Sequence, residues 1–286
     1  MQAELLFDAQ ALLGEGPIWN ARTQTLYWID ILNKRVYAEG NLLAQLDDFV
    51  GCIAPRADGG LILTTRFGFA SLEPGSAKPT SLASPENEPV NNRFNDGKCD
   101  PRGRFRAGTM DMGESDPTGS LYSYDGRSIT KLLGDVTISN GMTWSPDHRT
   151  FYYIDTPTRT VRAFDYALET GTISGGREAL RVPESFGWPD GMTSDMQGNV
   201  WIAMWGGAQV TQWNPNTGEL LQKIPVPAKN VSSCIFGGKD HNLLYVTSAR
   251  KGLDAATLAD YPLTGGVFRI ETNVQGMPTF EFSDLH

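Results

Sequence analysis

Cysteine and histidine, the side chains that most often build transition-metal and nucleophilic sites, are scarce here: three of each occur in 286 residues. Cys52, Cys99 and Cys234 are odd in number, far apart and outside any C-x-x-C pattern, which leaves no support for a disulfide framework or zinc knuckle and predicts three buried thiols. His148 in "SPDHRT", His241 in "GGKDHN" and His286 at the C-terminus read as loop positions, and no G-x-S-x-G motif accompanies them. A His-based triad is therefore not expected. Long apolar runs are also missing. No stretch reaches the roughly 20 residues a membrane span needs, and the opening "MQAELLFDAQALLGEGP" has neither a basic n-region nor an apolar h-region. A soluble, cytoplasmic protein is expected. Positive charge is short as well: 24 Lys and Arg stand against 33 Asp and Glu, for a net charge of −9. With no local basic run, that balance argues against nucleic-acid and anionic-membrane partners. Neither Gly206-Gly207 nor Gly237-Gly238 belongs to a phosphate-cradling pattern.

What the sequence does hold is repetition. "SNGMTWSPDHRTFYYIDTPTRTVRAFDY" from Ser139 and "PDGMTSDMQGNVWIAMWGGAQVTQWN" from Pro189 share Gly-Met-Thr, a turn, an aromatic strand, a second turn and another strand. The same order recurs from Gly14 and Asn95 and, more weakly, from Cys52 and Ser233, giving six units. Each contains short runs rich in Val, Ile, Tyr, Phe, Trp and Thr, separated by turn pairs such as Asp58-Gly59 and Pro146-Asp147. No unit carries a helical period. Repeats of about 40 to 50 residues built from four antiparallel strands are propeller blades. Residues 1–286 are therefore expected to form one all-β domain, a six-bladed β-propeller, and a monomer is expected because a closed ring demands no partner.

The first strand of a blade lines the central channel, so the residue just before it sits at the channel mouth. Glu15, Asp96, Asn140 and Asp190 occupy that position in four of the six units. A single Asp-Gly or Asn-Gly pair is an ordinary turn, but four in matching register converge on one mouth. Several carboxylates crowded near a packed axis imply a bound cation or raised pKa values. Their oxygen donors favour Ca²⁺, Mg²⁺ or Mn²⁺, with Zn²⁺ or Fe²⁺ admissible. The tryptophans, including Trp205, fall mostly at core spacing, and Trp205 is the one near the mouth whose ring could instead stack on a bound ligand.

The stretches "LGEGPIW" (13–19), "NNRFNDGKCDPRGRFRAGTMD" (91–111), "ISNGMTWSPD" (138–147), "WPDGM" (188–192), "GNVWIAMWGG" (198–207) and "LLYVTSAR" (243–250) resemble the gluconolactonase, senescence-marker-protein-30 and regucalcin family of six-bladed propellers, in its bacterial sugar-lactonase branch. The resemblance runs over nearly the whole chain. It implies one divalent metal held by Glu15, Asn140 and Asp190, a substrate-binding pair in Arg93 and Asn95, and a supporting role for Asp96. The family's further substrate-contacting Glu has no direct match in "AGTMDMGESDPTGS", where Asp111 or Glu114 would stand in. The activity it implies is hydrolysis of an aldonolactone to the aldonic acid, with Asp190 as general base toward a metal-activated water. Two other readings follow from the same fold: a non-catalytic calcium-binding or scaffold propeller, and a propeller hydrolase of phosphotriesters or aryl esters, for which a more apolar rim is expected.

Overall fold

The computed structural model describes residues 1–284; His286, read above as a loop position, lies outside the described residues. Among those residues the strands form six sheets, each of four antiparallel strands, and the sheets contact one another in sequence around a ring. This is the six-bladed β-propeller. The innermost strands of blades 1 to 6 are Gly14–Asn20, Val50–Pro55, Asn92–Cys99, Ser139–Trp144, Trp188–Ser194 and Asn230–Gly237. The strands form where aromatic and β-branched residues alternate between neighbours on either side. They stop at turns such as Asp195-Met196-Gln197-Gly198, where the Gly198 N–H donates to the Asp195 carbonyl at 3.0 Å and Gly198 takes φ +86°.

Apolar side chains fill the gaps between neighbouring blades. Trp28 and Trp201 are fully buried and Trp144 nearly so, in separate layers of that core. All three cysteines are free thiols and buried. His241 departs from its reading as an exposed loop residue: it is half-buried, and its carbonyl accepts the Gly276 N–H. One short α-helix, Ala255–Asp260, interrupts the otherwise β structure between the second and third strands of blade 6.

Two features of connectivity were not expected. The outer strand of blade 6 is Ala3–Phe7, which pairs antiparallel with Val267–Glu271, so the two ends of the chain share one blade and close the ring. The C-terminal segment beyond it runs across the far end of the channel. Gly276 bonds blade 6 through His241, Met277 bonds Ser194 of blade 5, Ser283 bonds Gly103 of blade 3, and Phe282 exchanges hydrogen bonds with Pro55 and Ala57 beside blade 2. Met277, Pro278 and Phe280 cover a residual space of only about 20 Å³ above Lys98, Thr143 and Ser194.

Candidate functional site

All six inner strands slip register at one place. The ladder with the second strand is irregular between Glu15 and Ile18, Val50 and Ile53, Phe94 and Gly97, Ser139 and Met142, Pro189 and Met192, and Val231 and Ser233. Such a bulge inserts an unpaired residue and re-aims its side chain. Asn95, Asn140 and Asp190 thus lie in the slipped stretches and Glu15 immediately before one, all within their strands and not ahead of them. Glycine follows Glu15, Asn140 and Asp190, and a Cβ on Gly141 would lie 2.6 Å from the Asp190 carbonyl, so only glycine lets blades 4 and 5 come this close.

The bulges open onto a cavity of about 350 Å³ lined by Glu15, Arg93, Asn95, Glu114, Asn140, Thr156, Asp190 and Lys251 together with Leu13, Met110, Ile138, Pro157, Trp188 and Trp205. A hydrogen-bonded chain runs round its wall. Arg93 Nη1 donates to Asn95 Oδ1 at 2.7 Å, Asn95 Nδ2 donates to Asn140 Oδ1 at 3.2 Å, and Asn140 Nδ2 donates to Thr156 Oγ1 at 2.8 Å. Thr156 in turn donates to the Pro189 carbonyl at 2.9 Å. With its NH₂ group committed to Thr156, the Asn140 carboxamide presents its oxygen to the cavity. Two buried aspartates anchor the segments leading into the mouth. Asp30 accepts the N–H groups of Leu12 and Leu13 before Glu15, and Asp155 accepts those of Thr137 and Ile138 before Asn140.

Glu15 and Asp190 are both buried. Desolvation, then the charge of Asp96, push the Glu15 carboxyl up to about 8, although the Gly16 N–H and Arg93 oppose this. Desolvation, then Glu15 and Asp96, hold the Asp190 carboxyl well above the usual range. The same burial pulls the Arg93 guanidinium down to about 10 against the charges of Glu114, Glu15 and Asp190. These are carboxylates without enough positive charge around them. No group of three or more His, Cys, Asp or Glu side chains able to hold a metal ion occurs among the described residues; among the oxygen donors that line the cavity are the Glu15 and Asp190 carboxylates and the Asn140 carboxamide. That set fits a hard divalent cation, which would relieve the mutual repulsion and leave further coordination positions open.

Glu15, Arg93, Asn95, Asn140, Asp190 and Trp205 therefore all reach one cavity, and Asp96 does not. In blades 4 and 5 the first residue of the slipped stretch is Asn140 or Asp190; in blade 3 the slip comes after Phe94, so Asn95 takes that place. Asp96 bonds the Gly97 N–H at 2.6 Å and is influenced chiefly by burial and by Lys98, whose Nζ donates to the Met192 carbonyl at 2.7 Å. It lies inward of the mouth. Asp111 also misses the cavity, because its carboxylate is taken by Asn91 Nδ2 at 2.5 Å. Glu114 does line it and forms an ion pair with Lys251, between the blades 3 and 6 that face each other across the ring. Lys251, Thr156 and Trp188 were not singled out from sequence. Trp188 opens the recognised motif "WPDGM" and Lys251 directly follows "LLYVTSAR", and that placement was the only available signal.

The chain is similar to known proteins over nearly its whole length. Residues 13–250 match the family described as SMP-30/Gluconolactonase/LRE-like region. Regucalcin of Bos taurus is 40% identical over 283 residues, covering 94% of each chain. Among solved structures, a calcium-binding protein, regucalcin, from Agrobacterium tumefaciens superposes with TM-score 0.92 at 27% identity, covering 98% of this chain and 96% of that one. A gluconolactonase from Xanthomonas campestris superposes with TM-score 0.76 at 22% identity, covering 96% and 89%, a likeness of fold alone. With the family matched over most of its length and a relative of this identity covering nearly all of it, the chain belongs to the SMP-30/gluconolactonase/LRE-like family.

Proposed function

We propose that the protein is a metal-dependent lactonase that hydrolyses an aldonolactone to its aldonic acid. The observation that carries this reading is the pair of buried carboxylates, Glu15 and Asp190, meeting the oriented Asn140 carboxamide in a cavity that also presents Arg93, Asn95 and Glu114. Glu15, Asn140 and Asp190 would hold one divalent ion. When bound, the ion supplies Lewis acidity toward the lactone carbonyl and toward water. Arg93 and Asn95, linked to each other and to Asn140, hold the substrate's hydroxyls and carbonyl. Glu114 takes the part of the family's extra carboxylate, since Asp111 is committed elsewhere. Asp190 accepts a proton from the attacking water; the water oxygen bonds to the carbonyl carbon, the ring C–O bond breaks, and Asp190 returns the proton to the departing ring oxygen. The product is the open-chain hydroxy acid, and the atoms balance without a redox partner.

A calcium-binding role without turnover is the second reading. It is favoured by the likeness to the Agrobacterium tumefaciens calcium-binding protein, regucalcin. One assay separates the two. Acid release from freshly prepared aldonolactones is followed on chelator-stripped protein, with Ca²⁺, Mg²⁺, Mn²⁺, Zn²⁺ and Fe²⁺ added singly, and with an aryl ester and a phosphotriester as parallel substrates. Ion-restored hydrolysis of the aldonolactones is the expected result. Ion binding by calorimetry with no acceleration of any lactone would support the binding role instead.

A further inference from the structure

The cavity is lopsided. Blade 3 contributes Arg93, Asn95 and Glu114, while both indoles in the lining, Trp188 and Trp205, come from blade 5, where they stand beside Asp190. Trp188 is unusual among the tryptophans because it is 41% exposed where Trp28 and Trp201 are 0%. An exposed indole forgoes much of the burial energy that normally decides where tryptophan goes.

Its neighbours hold it in place nonetheless. The Arg159 guanidinium lies over the Trp188 ring, 3.6 Å from the centroid, and Arg159 Nη1 is itself fixed by donating to the Gly187 carbonyl at 2.9 Å. Gly187 takes φ +95°, and a Cβ there would meet the Trp205 carbonyl at 2.5 Å, so only glycine allows this approach to the neighbouring strand. Trp188 and Trp205 are direct cross-strand partners. A cation thus covers one face of the indole, and Trp188 is among the side chains that line the cavity. This is an apolar contact surface prepared in advance, so a ligand meeting it loses little side-chain entropy.

We propose that Trp188, propped by Arg159, is a specificity residue that packs against the C–H face of the substrate's sugar ring, while Arg93, Asn95 and Glu114 read its hydroxyls. The chain would then select cyclic polyhydroxy lactones that present one apolar ring face. The proposal rests on the lactonase reading for its kinetic arm, while its binding arm stands without turnover.

The test uses the full-length, metal-loaded protein. Trp188→Ala is expected to raise KM about tenfold, the factor that an aromatic contact worth about 1.4 kcal/mol gives, and to leave kcat within about twofold of wild type. Trp188→Phe is expected to recover most of that loss, because a smaller aromatic face is restored. In parallel, tryptophan fluorescence is titrated with 1,5-anhydro-D-glucitol, a pyranose without the reactive carbonyl. Trp205→Phe, which silences the other cavity indole, is expected to show a saturable change that the Trp205→Phe/Trp188→Phe double variant lacks.

Unchanged KM in Trp188→Ala, or a fall in kcat alone, would overturn the proposal, since Trp188 would then act only by supporting Asp190. A fluorescence response that persists in the Trp205→Phe/Trp188→Phe double variant would overturn it as well. Absence of turnover by wild type on every lactone would sink the lactonase reading, and the fluorescence titration would still decide the role of Trp188.

Discussion

At the residue scale, the mouth is defined by what each side chain is prevented from doing. Asn140 cannot rotate because Thr156 holds its NH₂ group, so Thr156→Val is expected to weaken divalent-cation binding by about 10- to 100-fold, as loss of an outer partner of a ligand does; calorimetry on the stripped protein reads it. Asn140→Ala and Asp190→Ala should each abolish ion-dependent turnover, while circular dichroism and Tm remain close to wild type. Glu114→Gln should raise KM, whereas Asp111→Asn should not, because Asn91 already occupies that carboxylate; a kinetic comparison of the two variants settles which acid faces substrate. The identities of Glu15, Asn140, Asp190, Arg93 and Asn95 were legible in sequence through their motifs. The roles of Asp111 and Glu114 were not, since the choice depends on which carboxylate finds a partner after folding.

The buried acids also set a pH dependence. The Glu15 carboxyl binds its proton more tightly in the folded chain, with a pKa of about 8 against an ordinary 4.5. The folded state therefore carries the extra proton between those values, and stability falls as pH rises across that window. Chelator-treated protein should show Tm decreasing from pH 4.5 toward about 8. A saturating divalent cation should flatten the slope, because it binds the ionised form. An equal slope with and without ions would remove Glu15 from the site.

At the scale of the strand, the bulge is the recurring device. Alternating aromatic and β-branched residues with Gly-Met-Thr in register made the blades legible, because sheet periodicity is carried by short local patterns. The register slip is not carried that way. It depends on how two strands twist past each other around the ring, which is why Asp96 aligned with Asp190 in sequence while Asn95 took the equivalent place in space. Gly141 is the position where this geometry is tightest. Gly141→Ala should push blades 4 and 5 apart, and a loss of cation affinity larger than the loss of Tm is the expected outcome, measured on the same sample by calorimetry and thermal melting.

At the scale of the whole molecule, six repeats announced six blades, but the first strand was invisible as a blade member. "AELLF" at 3–7 precedes the first recognisable repeat and completes the last one. Only the folded ring brings Ala3 opposite Ile270. Deleting residues 1–8 should strip blade 6 of its outer strand and lower Tm by more than deleting an equal length of surface loop. Truncating a fully buried inter-blade side chain, as in Trp28→Ala, should cost about 3–5 kcal/mol in denaturant unfolding.

The C-terminal segment lies across the far end of the channel, from His241 to Gly103 and Pro55. Traffic through the molecule is therefore two-way through one doorway. On the proposed lactonase reading, a newly formed acid would leave along the path by which the next lactone arrives, past the Glu114–Lys251 pair at the rim. The aldonate should accordingly behave as a purely competitive inhibitor in initial-rate plots, and progress curves should slow earlier than substrate depletion alone dictates.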